Sequence, residues 1–455
     1  MFQKLLLLPL LGSGLVAPAT AQFVPITSTQ RPHLDAALCS DASHIAFRAG
    51  PQGLGAVHLA GNQEVMLHTS SGAALTSFVW SHNNVDLFFA DGNTLARVAV
   101  TGGAAVTLAA NVAGSELRVC CVDPGASALF GTRRDPIANT TAIWRMPLPM
   151  GGQPVDLVTR PGRIDEVGID GTGNWLLFRS WTGAQPVPAT YERYDVAGAA
   201  AQVMTTFTVA AASAYWAIAP NVFAVCTLAP GNPQPQVALV DISGQVEFLT
   251  DDPWPHTRLF AIDGSHELFH ETQSPTGGGT TIASVPNHGG GVMLSHAGQP
   301  LVLNGGASTG GLTFDAGETH IAFSAGTSTA DPFPQIYLLD MHEDLHIHPH
   351  LHVGQTFSIE QHLDLGDIGA VAVADGLAAM PVQVPPLAEE FWLTTAPGRM
   401  TVVLSGVGTG TGPLVGVWQI PNQPQLMGVR LFVQAVHFDA ALMGEFSRLG
   451  YYQVF

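Results

Sequence analysis

The chain has 455 residues, 46% apolar and only 11% charged, and its 16 Lys plus Arg face 35 Asp plus Glu for a formal net charge of −19. That balance excludes the basic footprint of a nucleic-acid binder and argues against anionic membrane surfaces, while the apolar content excludes disorder. With 50 Gly and 32 Pro among short apolar runs, the expectation is an all-β chain rich in turns.

In chain order, the first element is "MFQKLLLLPLLGSGLVAPATAQFVP". Lys4, the apolar core Leu5 to Val16 and the small-x-small Ala19-Thr20-Ala21 read as a secretory signal peptide over residues 1–21. The core is shorter than the ~20 residues of a membrane-spanning helix, and no Cys follows it for a lipid anchor. Lys4 is the only lysine, so the exported chain would carry 15 Arg against 35 acids, a net of −20. Export would place it in a secreted, periplasmic or cell-surface compartment.

A repeat starts near residue 33. Seven short segments recur: Ile45-Ala46-Phe47, Leu87-Phe88-Phe89, Ala128-Leu129-Phe130, Leu176-Leu177-Phe178, Phe223-Ala224-Val225, Glu267-Leu268-Phe269 and Ile321-Ala322-Phe323. Their last residues are 42, 41, 48, 47, 44 and 54 apart. Each follows a turn, such as Asp123-Pro124-Gly125, Asp170-Gly171 or Asp263-Gly264, and precedes a second strand, a tight turn and a further strand. Four short antiparallel strands per unit is the signature of a β-propeller blade. The expected fold is therefore a propeller over 33–348, with seven blades favoured and six plus an extra hairpin as the alternative.

The uncharged run 207–229 is long enough to cross a bilayer, but Pro220-Asn221 interrupts it and it falls inside the repeat. The four cysteines, Cys39, Cys120, Cys121 and Cys226, read as small buried strand residues. Disulfides from Cys120 or Cys121 to Cys39 or Cys226 are the other reading, because export permits them.

The units "WSHNNVDLFFADGNTLARVAVTGGAAVTLA" (80–109) and "FDAGETHIAFSAGTSTADPFPQIYLLDMHED" (314–344) resemble the WD40-like repeats of TolB-type propellers. The resemblance implies fold rather than activity.

From 349 to 455 the pattern shifts to six or seven strands between Gly/Pro turns, which suggests a small β-sandwich. Residues 417–439 are similar to a recurring C-terminal module of secreted bacterial proteins. The matching positions are Ile420-Pro421, Pro424, Leu426, Gly428, Gln434-Ala435 and Asp439. That likeness implies surface attachment, export sorting or folding support.

Candidate sites are few. "LHIHPHLH" (345–352) alternates His346, His348, His350 and His352 with apolar residues. On a strand, Leu345 and Ile347 would face one side and His346 and His348 the other, and Pro349 would end the pairing. The strand is expected to be the outermost one of blade seven, and a polar rim face is the preferred reading. A metal site is the alternative, because imidazoles at i and i+2 can meet on one ion, with His342, Glu343, Asp344 or His362 to complete it. A pH-responsive interface is a third reading. "GASTG" (306–310) fits a nucleophile elbow only in letters, since it lacks the strand-to-helix context. "GVGTGTG" (406–412) reads as a hairpin loop.

Together these features point to an exported, non-enzymatic binding or scaffolding protein without a cofactor. Its partner would be a protein, glycan or cell-envelope component, met by propeller loops or channel. A metal-dependent propeller lyase or hydrolase, and a surface protein anchored by the C-terminal module, are the alternatives.

Overall fold

The computed structural model describes residues 26–72, 74–112, 115–148, 152–183, 188–207, 214–219, 222–260, 267–273, 280–286, 292–294, 302–303, 312–314, 320–326, 333–340, 345–348, 353–384, 387, 390–427, 429–439, 441–442, 444–447 and 449–454. The signal-peptide reading of 1–21 lies outside them, as do "GASTG", His350, His352 and residues 341–344. Among the described residues, regular structure is strand throughout except for one 3-10 turn, Pro424–Leu426. No helix there is long and apolar enough to cross a membrane.

Six successive four-stranded antiparallel sheets follow the chain: sheet one over 33–69, two over 75–109, three over 115–161, four over 163–207, five over 214–248 and six over 256–294. A seventh, over 302–340, fills its first position with two short pieces, Val302–Leu303 and Leu312–Phe314. Both pair with His320–Gly326, which also pairs with Gln335–Asp340. First strands touch one another from sheet two through sheet six, and the first strand of sheet one touches that of sheet seven. Fourth strands such as Gln63–Thr69, Val106–Ala109 and Val155–Pro161 are largely exposed at the rim.

The recurring apolar triplets form the second strands, where a sheet is covered on both faces, and their described side chains are buried almost completely. Successive residues on a strand face opposite ways, so each triplet serves two neighbours. Ile45 and Phe47 pack toward sheet seven and Ala46 toward sheet two. Leu87 and Phe89 face sheet one and Phe88 faces sheet three. Leu176 and Phe178 face sheet three and Leu177 faces sheet five. A run apolar at every position is what burial on both faces demands.

Sheets one and seven meet through Ala36, Ile45, Phe47, Ala322 and Ile336. The chain start seals this junction. Ile26 N donates to Ile336 O at 2.9 Å, Ile336 N donates to Thr27 Oγ1 at 3.0 Å, and Thr27 Oγ1 donates to Gln335 Oε1 at 2.8 Å. His33 N donates to Pro334 O at 2.9 Å, and the Ser324 hydroxyl donates to His33 O. Residues 26–29 therefore lie along the edge of Gln335–Asp340 where a fourth strand would pair.

This corrects the expected place of Leu345–His348. It is not the outer strand of blade seven. It pairs with Thr356–Gln361, which pairs with Leu414–Gln419, in a small three-stranded sheet. The physical reason is twofold: the N-terminal segment occupies the blade edge, and Leu345 gains burial beside Ile359, Val371, Val433 and Ala435. That cluster is the core of the C-terminal sandwich. It lies between the small sheet and a larger one containing Ile368–Ala374, Met400–Val407, Arg430–Phe438 and Gly450–Gln453. Residues 408–413 cross from the larger sheet to the smaller, so the glycine-rich stretch there links two sheets and is no hairpin.

The sandwich is continuous with the propeller. Val292 and Met293 on the outer strand of sheet six pair with Tyr451 and Gly450, which joins sheet six and the larger C-terminal sheet into one nine-stranded sheet. One apolar cluster also spans sheet five, sheet six and Ala372, Leu393, Phe432, Leu449 and Tyr451.

Because Phe178 fills the junction of sheets three and four, Phe178→Ala is expected to cost about 3–5 kcal/mol in urea unfolding. Ile137→Ala, at a site 97% exposed, is expected to stay within about 0.5 kcal/mol of the parent.

Candidate functional site

The first strands of sheets one to six each slip register against the second strand. Such a bulge inserts an extra residue and twists the strand. In five of the sheets the register places a polar residue within the slip: Asp35, Thr76, Glu116, Glu166 and Arg258. Asp35, Glu116 and Glu166 have φ of 51°, 52° and 51°. That left-handed conformation is uncommon outside glycine, and here it recurs at equivalent positions on the axis.

Arginines answer these acids. In sheet four, Arg179 directly follows the triplet residue Phe178. Its Nε donates to Asp165 Oδ1 at 2.9 Å and its Nη2 to Asp165 Oδ2 at 2.7 Å, with Glu166 Oε1 3.0 Å from Nη2. All three side chains are largely buried. Burial opposes the Arg179 cation, but Asp165 and Glu166 hold it above the ordinary arginine range. Burial pushes the Asp165 carboxyl up, against the pull of Arg179, Arg118 and Arg163. The Trp181 ring lies 5.3 Å from the Arg179 guanidinium carbon, within cation–π range.

In sheet three, Arg134 Nη1 donates to Glu116 Oε1 at 3.0 Å. In sheet one, Arg48 Nε donates to Asp35, and Arg48 Nη1 reaches across to Leu75 O of sheet two at 3.1 Å. The Thr76 hydroxyl donates to Leu117 O of sheet three, and Val119 N donates to Ser77 Oγ at 2.7 Å. A polar belt thus ties successive first strands around the axis.

Arg163 is an open cation of this belt. Its side chain is 48% exposed, and its ion pair with Glu116 Oε2 is long, at 4.0 Å. It opens sheet four immediately after Gly162, which has φ +78° and leaves no room for a side chain, since a Cβ would sit 2.1 Å from Trp181 O. Gly162 is held from both sides, its N donating to Asn139 O at 2.7 Å and its O accepting from Thr141 Oγ1 at 2.8 Å. The cluster sets Arg118, Arg134, Arg163 and Arg179 against Glu116, Asp165 and Glu166, so 4 − 3 leaves a local charge of +1 in a chain whose net is −19.

A second polar cluster lies between sheet six and the C-terminal strand. Asp252 Oδ2 accepts from Tyr451 OH at 2.8 Å and from His256 Nε2 at 3.0 Å, and Asp252 Oδ1 accepts from Trp254 N at 2.9 Å. The His256 and His270 rings meet at a tilt of 59° with centres 4.6 Å apart, both fully buried. Burial, and then the neighbouring His256, push His270 well below the ordinary imidazole range. Burial raises the Tyr451 phenol, and Asp252 adds to that. These hydrogen bonds tie the C-terminal strand to the start of sheet six.

Of the residues expected from sequence, His346 and His348 lie opposite Glu360 and Ser358 in the small C-terminal sheet, away from the axial belt. His362 follows that sheet's middle strand. The side chains of His346 and His348 lie outside the described residues, as do His350 and His352; among the residues that are described, no group of three or more His, Cys, Asp or Glu is placed to hold a metal ion. The four cysteines are free. Cys39 and Cys226 are buried, and burial raises the Cys120 thiol to about 12. The sequence reading missed the belt. Its signal was a polar residue 11 to 14 positions ahead of the last triplet residue, as in Asp35, Thr76, Glu116, Glu166 and Arg258.

No family model and no curated protein matches the chain. Solved structures do. An oligogalacturonate lyase from Vibrio parahaemolyticus aligns with 11% identity and TM-score 0.55 over 70% of this chain and 93% of that one. An oligogalacturonate lyase in complex with manganese aligns with 13% identity and TM-score 0.54 over 70% and 93%. The β-propeller domain of the trilobed protease from Pyrococcus furiosus, which has an open velcro topology, aligns with 8% identity and TM-score 0.50 over 69% and 96%. At these identities the likeness is one of fold, and the fold is a β-propeller.

Arg179→Met strands Asp165 and Glu166 without their cation, and a loss of about 3–5 kcal/mol is expected in urea unfolding. The His270 shift has a definite sign. The unfolded imidazole takes a proton first, so its contribution to stability is complete above about pH 6.5 and falls away as the pH drops below that value. Urea midpoints measured from pH 8 down to pH 5 should decline, and His270→Leu should flatten the decline.

Proposed function

We propose that this chain is an exported binding protein whose ligand seat is the axial end of sheets three and four, and that it takes a carboxylate-bearing partner there. The observation that carries this reading is Arg163. It is a half-exposed guanidinium whose nearest acid, Glu116, stands 4.0 Å away, while the neighbouring Arg179 is already saturated by Asp165 and Glu166. A planar guanidinium with unused donors matches a carboxylate in two-pronged fashion. Trp181, opposite Arg163 in the ladder and partly exposed, offers a flat apolar surface beside it, which suits a sugar ring better than an extended peptide. An acidic glycan is therefore the favoured partner class. Bindings of this kind use loops and strand ends held by a rigid scaffold, and the belt supplies that rigidity.

Oligogalacturonate, the substrate class named for two structural neighbours, is a fitting probe because every sugar carries a carboxylate. Its methyl ester has the same backbone without the charge. Titration calorimetry is expected to show binding of the acid and none of the ester, with Arg163→Ala weakening it by about tenfold or more, as loss of one charge-assisted hydrogen bond would. Equal binding of both forms, or an unaffected Arg163→Ala, would overturn this seat. Formation of an ultraviolet-absorbing unsaturated product would favour a lyase in place of a binder.

A further inference from the structure

Arg163 has a neighbour one rung further along the axis. Arg118 stands opposite Thr132, two places past Phe130, the last triplet residue of sheet three. Ile164 stands opposite Ser180, two places past Phe178, the last triplet residue of sheet four. Arg118 and Ile164 therefore share a rung, and Arg163, opposite Trp181, lies one rung above them. The two first strands that carry these residues touch. One rung is about 3.3 Å along a strand, so the two arginine positions are close neighbours across the junction of sheets three and four.

The face on which Arg118 lies follows from its flanking residues. Leu117 and Val119 pack against sheet two, so Arg118 is on the face toward sheet four, where it is half-buried. The acids nearby are already engaged, Glu116 by Arg134 at 3.0 Å and Asp165 and Glu166 by Arg179. Ile164, on the same rung, is apolar and buried with Phe130, Ile143 and Phe178. Among the described residues Arg118 makes no hydrogen bond and no ion pair. Its charge, like that of Arg163, works against the upward push of burial on the Asp165 carboxyl, so both cations stand around one acid that a third arginine already holds. A half-buried charge without a counter-ion is unfavourable, and an anionic ligand would supply the missing partner.

We propose that Arg118 is a second anion-binding residue of the axial seat, and that the ligand brings two carboxylates, one to the more exposed Arg163 and one to Arg118 a rung below. This rests on the reading of Arg163 as the first contact of that seat. Two guanidiniums on adjoining strands select by number of charges. A ligand with one carboxylate satisfies Arg163 and leaves Arg118 unpaired, whereas a ligand with two satisfies both. The ligand class is thereby narrowed from an acidic sugar to an acidic glycan of at least two uronate residues.

The probes are galacturonate, with one carboxylate, and digalacturonate, with two, titrated by calorimetry into the full chain. The parent is expected to bind digalacturonate about tenfold or more tightly than galacturonate. Arg118→Gln should remove most of that difference, weakening digalacturonate about tenfold and leaving galacturonate within about twofold of the parent. Arg163→Ala should weaken both. Added salt should weaken digalacturonate more steeply than galacturonate in the parent, and the two alike in Arg118→Gln. Because Arg118 has no counter-ion to strand, Arg118→Gln should leave the urea midpoint unchanged or raised, in contrast with Arg179→Met. Digalacturonate binding that survives Arg118→Gln but falls in Arg163→Ala would overturn the second contact and leave the seat standing. An equal loss of both ligands in Arg118→Gln, or a lowered midpoint in that variant, would overturn it too. Binding of neither ligand by the parent, or binding untouched by Arg163→Ala, would overturn the seat and the second contact together.

Discussion

A four-stranded sheet of some forty residues has two apolar faces and can cover neither alone. Sheets one to five each borrow their cover from both neighbours, and sheet six from sheet five and the C-terminal strands. The second strands show the consequence most sharply, because Ile45, Ala46 and Phe47 serve two different interfaces within three residues. The contribution of any one sheet is therefore conditional on the next. The junction of sheets seven and one has to be closed by something other than the next strand in sequence, and residues 26–29 do so through Ile26 and Thr27, which sit some 310 positions from Ile336. Tying the two ends of a ring with one short segment makes closure long-range and slow to form, but it covers part of the strand edge at the seam.

Apolar faces dictate where polarity can go. With both faces covered, polar side chains are left to the rim, the turns and the axis. On the axis the strands crowd, and the bulges relieve that crowding by turning one extra residue inward. Once an acid is turned inward it is partly desolvated and needs a partner. Arg48, Arg134 and Arg179 supply one from the adjacent second strand. The pairs of Arg48 and Arg179 with their buried acids contribute less to stability than their distances suggest, since desolvation offsets much of the attraction, and the more exposed Arg134–Glu116 pair is weakened by solvent. Their value lies in fixing the register of each first strand, and so in holding Gly162 and Arg163 where they are.

How much was legible follows from the same physics. The triplets stood out because a strand covered on both faces is apolar at every position, and the turn acids because Asp170 must satisfy the backbone N–H groups of Asn174 and Trp175. Fold class and repeat length came from those two signals. The bulges were hidden, because a one-residue slip changes register without changing composition, and "HLDAAL" or "RIDEVGI" reads as an ordinary strand with acids in it. Partner choice was hidden too. Leu345–His348 has the pattern of any half-buried strand, and nothing local says that it joins Thr356–Gln361 rather than Gln335–Asp340. Tyr451 and Asp252 are 199 positions apart and meet only because the final strand adds to sheet six.

That last contact bears on what the C-terminal residues are for. An appended module held by a linker would leave the propeller unchanged when removed. Here removal would uncover the edge of Val292–Leu294, strip Leu259, Leu268 and Cys226 of apolar neighbours, and leave Asp252 and His256 facing solvent without Tyr451. Trp254 would also lose its contacts with Tyr451 and Arg430. An exposed strand edge beside an uncovered apolar cluster is a template for aggregation. The sandwich therefore acts first as the cover of sheets five and six.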